Sequence, residues 1–161
     1  MKHFMKHLLL VLLFFCSLVL TAQKKKQIKK SGIISVTCQE IKGSKKVMDS
    51  KTLYNEQGKI SEEIKYREDG TLKSSTRYKY NKAGDVAMET EFNDKNIITE
   101  IKKYSYGPTG LKTEELFLSR DNKPLKKYIY SYNSKGLKTE RKTYDPAGKL
   151  ISIKQYLYGY K

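Results

Sequence analysis

Tryptophan is absent from the chain, histidine occurs only as His3 and His7, and cysteine only as Cys16 and Cys38. Both histidines and Cys16 lie in or beside an N-terminal apolar run. Everything downstream therefore lacks a Ser-His-Asp or Cys-His arrangement and the commonest transition-metal ligand. Cys38 stands alone there, so an internal disulfide is excluded and the fold must be held by packing and hydrogen bonds. The thiol itself reads as a small buried hydrophobe. Acid is scarce too, with 17 Asp and Glu against 33 Lys and Arg and a formal net charge of +16. A field of that sign favours anionic partners such as acidic polysaccharide, lipid headgroups or nucleic acid.

The N-terminus explains part of this inventory. Lys2 and Lys6 precede an apolar run from Leu8 to Phe15, continued by Cys16 to Leu20 and a small-residue exit at Thr21-Ala22. This is the pattern of a signal peptide over residues 1–22, helical and cleaved before Gln23. The run is shorter than the ~20 residues a spanning helix needs. Phe14 and Phe15 occupy positions where a lipid-attachment signal at Cys16 wants small residues. The expected location is extracytoplasmic: periplasm, cell surface or secreted, with no integral membrane span after cleavage and no nucleic acid partner. Removing the two leader lysines from +16 leaves +14. The dense run Lys24 to Lys30 reads as part of a basic flexible segment, 23–31.

What the chain does contain is a repeat. Turn-like pentads begin at Tyr54, Tyr66, Tyr80, Phe92, Tyr106, Leu118, Tyr132 and Tyr144, at spacings alternating 12 and 14. The unit is thus 26 residues with two half-units. The fifth pentad position is Gly58, Gly70, Gly84, Asn96, Gly110, Asn122, Gly136 and Gly148. A hairpin loop built on a type I turn ends at positive φ, which Gly adopts freely and Asn tolerates best among the rest. Asp145-Pro146-Ala147-Gly148 suits that turn, with Pro at the position whose φ it presets. The seven to nine residues between turns hold a strand but no helix with its connections. Ile60, Ile64 and Tyr66 alternate with Ser61, Glu63 and Lys65. Short loops between successive strands force antiparallel neighbours. The predicted fold is all-β, an antiparallel meander of tandem 26-residue two-strand repeats forming a coiled, elongated sheet.

Two tyrosine columns run through the repeats: Tyr54, Tyr80, Tyr106, Tyr132 and Tyr158, and Tyr78, Tyr104, Tyr130 and Tyr156. Ideal alternation puts them on one face with Ile60, Ile64, Leu72, Val86, Met88 and Leu150. Ile97, Ile101, Leu111, Phe117, Leu125, Ile129, Leu137, Ile151, Ile153 and Leu157 fall on the other. A bulge after each turn would exchange faces locally. Leaving either set exposed is costly, which points to strong coiling or to self-association through the second sheet face. Stepping back 26 from Gly58 reaches Gly32, and Ile34-Ser35 match Ile60-Ser61. A degenerate capping repeat over 32–53 thus precedes the repeat domain, 54–161.

Arg77-Tyr78-Lys79-Tyr80-Asn81-Lys82-Ala83-Gly84, Tyr104-Ser105-Tyr106 through Gly110, and Tyr130-Ser131-Tyr132-Asn133 through Gly136 resemble the YD (RHS-type) repeat, R-Y-x-Y-D-x-x-G. Tyr144-Asp145 followed by Gly148-Lys149-Leu150 matches its Y-D-x-x-G-x-L part. Asn81, Asn133 and Gly107 stand where that pattern has Asp. The resemblance implies secreted or surface β-structure, though four units are too few for the enclosing shell of large family members. A weaker similarity is to the MORN-like repeats of certain bacterial antitoxins.

Catalytic options are few. Glu62-Glu63 and Glu114-Glu115 are carboxylate pairs of the kind that cleave glycosidic bonds. Adjacent strand residues point to opposite faces, however. They read instead as cross-strand partners of Lys102, Lys126, Lys142 and Lys154. No metal site and no cofactor motif is present, and no enzyme is expected. The candidate binding residues are Tyr78, Tyr80, Tyr104, Tyr106, Tyr130, Tyr132, Tyr156 and Tyr158, whose rings can stack on sugars or cover the sheet's own strand ends. The expected function is a non-catalytic scaffold of the cell envelope contacting protein or anionic glycan. The alternatives are an immunity or antitoxin-like partner protein and a carboxylate-based glycan hydrolase.

Overall fold

In the computed structural model, residues 27–42 and 44–160 are described, and the leader lies outside them. These residues form one ten-stranded antiparallel sheet in strict sequence order: β1 (Ser35–Lys42), β2 (Lys45–Tyr54), β3 (Ile60–Tyr66), β4 (Leu72–Tyr80), β5 (Val86–Asn93), β6 (Ile98–Tyr106), β7 (Lys112–Leu118), β8 (Pro124–Tyr132), β9 (Lys138–Tyr144) and β10 (Leu150–Gln155). Each strand contacts only its neighbours in sequence, and β1 does not pair with β10, so the sheet is open and one layer thick.

From β2 to β10 every connection is the same object. In the last, the Gly148 amide donates to the Asp145 carbonyl at 3.1 Å and the Asp145 amide to the Lys149 carbonyl at 3.0 Å. The same pair of bonds recurs at Asn55, Arg67, Asn81, Asn93, Gly107, Ser119 and Asn133. All eight closing residues, the six glycines with Asn96 and Asn122, have φ between +57 and +93°. Most opening side chains add an acceptor: Asn133 Oδ1 takes the amides of Lys135 and Leu137, both at 3.0 Å, and Asp145 Oδ1 takes that of Lys149 at 2.8 Å. Asn and Asp share this oxygen, which is why either serves after the tyrosine.

Every strand pair also contains one register shift, and from β2 to β9 it falls at the residue that precedes the turn, such as Lys79/Tyr80 or Ser105/Tyr106. These bulges correct the face assignment made by ideal alternation. Ile64 lies opposite Ser75, itself opposite Phe92, and Met88 opposite Lys79, on the face away from Tyr78. Phe117 moves the other way. It joins the row Tyr78, Glu89, Lys102, Phe117, Lys126, whose members stand directly opposite one another across five strands.

Few side chains are buried: Ile28, Phe92, Ile101, Phe117 and Leu118 among the apolar ones, and Ser75, Thr90 and Thr143 among the polar. Cohesion is therefore spread over ladder hydrogen bonds and cross-strand pairs. Residues 27–31, within the segment expected to be flexible, make one helical turn. Gly32, at φ +64°, ends it, its amide bonding Lys29 and the Ile33 amide bonding Ile28. Those two bonds are a Schellman cap, and Ile28 is buried beside it. Cys38, expected inside, is an exposed thiol at the β1 bulge, because a one-layer edge strand has no interior to offer.

Candidate binding face

The tyrosine columns end β4, β6 and β8 and continue just past β10 in Tyr156 and Tyr158, where the 26-residue period returns a ring to the same place each time. One column reaches back to the preceding strand's first carbonyls. The Tyr80, Tyr106, Tyr132 and Tyr158 hydroxyls donate to the carbonyls of Ile60, Val86, Lys112 and Lys138 at 2.7–2.8 Å. Each bond closes its strand pair past the last ladder partners, such as Glu62 and Arg77, at the end away from that pair's own bulge.

The other column meets carboxylates. Tyr78 donates to Glu63 and Tyr130 to Glu115, both at 2.7 Å, and Tyr104 bonds Glu89. The acceptors are themselves 26 residues apart, so this column of acids follows the same period as the tyrosines. Burial first, then these hydrogen bonds and carboxylate charges, raise the phenols of Tyr78, Tyr104 and Tyr130 far above their ordinary value. Tyr80, Tyr106 and Tyr132 are raised as well, chiefly by burial. At neutral pH the phenols are protonated and Glu63 and Glu115 are engaged as acceptors.

Lysines cover many of the rings. Lys112 Nζ lies 3.9 Å from the Tyr104 centroid, Lys138 4.1 Å from Tyr130, Lys126 4.2 Å from Phe117 and Lys59 4.8 Å from Tyr80. Such cation–π contacts fix a flexible ammonium over a rigid ring. Lys102 has two carboxylate partners, Glu91 at 2.6 Å and Glu100 at 3.2 Å. Burial opposes its charge, yet the two carboxylates outweigh it and its pKa is raised.

The expected carboxylate–lysine pairing is cross-strand in kind but differs in partners. Glu62 binds Arg77 at 3.0 Å while Glu63 binds Tyr78, and Glu114 lies 3.9 Å from Lys127 while Glu115 takes Tyr130. Adjacent acids thus serve opposite faces. Lys142 pairs with Glu140 on its own strand at 3.1 Å. The bulges set this register, and residue spacing alone does not reveal them.

The eight candidate tyrosines consequently form a continuous framework rather than a row of open stacking platforms. Seven of their hydroxyls are committed, and rings in both columns are lidded by ammonium groups. What this face presents outward is positive charge at positions held by aromatic rings. Among the described residues no helix is long and apolar enough to cross a membrane.

No family model matches this chain, and no curated protein does. Among solved structures, a porin-like protein from Bacteroides uniformis is 14% identical with a TM-score of 0.44; the match covers 77% of this chain and 49% of that one, so this chain spans about half its length. A protein of unknown function from Bacteroides fragilis is also 14% identical with a TM-score of 0.44, over 79% of this chain and 95% of that one. TarM is similar over 78% of this chain and 22% of its own, at 14% identity and a TM-score of 0.33.

Proposed function

We propose that this chain is an exported, YD-like repeat scaffold of the cell envelope, non-catalytic, that binds anionic glycan or protein through its tyrosine-bearing face. The observation carrying this reading is the set of ammonium groups seated on aromatic rings, those of Tyr104 and Tyr130 with their hydroxyls already spent. Stacking of neutral sugars needs free ring faces, whereas Lys112, Lys126 and Lys138 occupy those of Tyr104, Phe117 and Tyr130. An acidic partner meets preplaced cations instead, and the charge excess supplies long-range attraction. The leader pattern and the absence of histidine after His7 support export and a non-catalytic role.

The test is an array of acidic and neutral glycans together with acidic and neutral proteins, probed with the purified chain at low and high salt. Retention of acidic members only, weakening as salt screens the field, is expected. Equal retention of neutral members, or none at modest salt, overturns the reading.

A further inference from the structure

The Tyr–Glu ladder breaks once. Glu63, Glu89 and Glu115 are followed at the same interval by Arg141, while the tyrosine that should donate to it, Tyr156, is retained. At one repeat position an acceptor has become a cation.

The surroundings suit a charge that seeks a partner. The Arg141 guanidinium carbon lies 4.4 Å from the Tyr128 centroid, and its Nε is buried with no hydrogen-bond partner. Lys154 stands directly opposite it on β10, and Tyr130 opposite on β8. Lys138 Nζ sits 4.1 Å from the Tyr130 ring and 5.8 Å from that of Tyr156. Nearby carboxylates are engaged elsewhere: Glu115 accepts from Tyr130 and lies 3.7 Å from Lys112, and Glu140 pairs with Lys142. Arg141 and Lys154 are thus cross-strand neighbours on β9 and β10, with Lys138 over the adjacent Tyr130 ring, where the preceding repeats place an acid.

We infer that Arg141, with Lys154 and Lys138, forms a specific site for the carboxylate of an acidic sugar, Tyr156 flanking the sugar ring. A guanidinium seated over the Tyr128 ring presents paired N–H donors that match a carboxylate in a bidentate contact. Arg141 lies on β9, whose backbone is paired on both sides, with β8 and β10, so recognition at its guanidinium comes from side chains. An extended peptide adding as a strand would pair with the free edge of β10 and lie a strand away from Arg141, whereas a saccharide can lie across the face over the guanidinium. This site rests on the reading of the chain as an anion-binding scaffold, but places the specificity at one repeat.

The decisive variant is Arg141→Glu, which restores the ladder's own residue and its bond from Tyr156, so it is expected to melt no lower than the parent. Arg141→Gln serves as a second variant of smaller charge change, and Lys103→Glu, on the opposite face, matches the charge reversal. Titrating the purified full chain with oligogalacturonate, a neutral galactose oligomer and polyglutamate, Arg141→Glu and Arg141→Gln should weaken oligogalacturonate binding about tenfold or more, the scale of one lost charge-assisted contact, while Lys103→Glu changes it little. Equal losses for Arg141→Glu and Lys103→Glu overturn the site and leave the general scaffold reading standing. Tighter, Arg141-dependent binding of polyglutamate overturns the sugar assignment in favour of an acidic protein. No binding of either polyanion by the parent overturns both.

Discussion

Gly110 closes the turn between β6 and β7 at φ +76°, and a Cβ added there meets nothing within 4 Å. Any cost of substitution is therefore purely conformational. Gly110→Ala should destabilise by about 1–2 kcal/mol, the cost of placing an L side chain in the left-handed region, and Asn122→Gly should be neutral or slightly stabilising. Urea unfolding decides this, and an unchanged midpoint for Gly110→Ala would contradict the turn assignment. The tyrosine pairs make a second residue-level test. Tyr130→Phe strands the Glu115 carboxylate and should cost about 1–3 kcal/mol, against about 1 kcal/mol for Tyr132→Phe, which frees only a carbonyl near water. If Glu115→Gln in the Tyr130→Phe background costs as much as it does alone, the two side chains do not interact.

At the scale of elements, the buried side chains Phe92, Ile101, Phe117 and Leu118 lie on β5, β6 and β7, whereas every residue of β10 is exposed. Amide exchange should be slowest in β5–β7 and fastest in β10, since local opening follows the apolar area that must be uncovered. Uniform protection from β3 to β10 would show instead that the sheet opens as one unit. The eight turns from β2 to β10 were legible beforehand, because each depends on local signals: Gly or Asn at the closing position and, in six of the eight, Asn, Asp or Ser at the opening one. The faces were not. Val86 and Tyr80 lie opposite each other only because the ladder slips between Lys79 and Tyr80. A bulge has no residue signature of its own, so a parity count carried through it assigns the wrong side to Ile64, Met88 and Phe117.

For the whole molecule, six phenols and Lys102 are raised above their ordinary values, and both kinds of group bind protons more tightly folded than unfolded. Stability is then fully present below the unfolded tyrosine value of about 10 and is lost as pH rises above it. The thermal midpoint should hold through neutral pH and fall steeply from about pH 10. Tyr104→Phe and Tyr130→Phe should each flatten that fall. A midpoint flat to pH 12 or so, in a chain still folded, would mean the phenols are not held as described.

By itself the sequence determined the all-β meander and its period, because a strand of this length and a turn of this type are each decided within a dozen neighbouring residues. It also held the break in the ladder at Arg141, visible once the column of glutamates is known. Only the tertiary structure decided which carboxylate each phenol meets, which rings lie beneath lysines, and that Arg141 faces Lys154 with no ion-pair partner among the described residues. Those pairings depend on the relative offset of strands, and that offset is set cumulatively by bulges whose energies come from the paired sheet and not from any one strand.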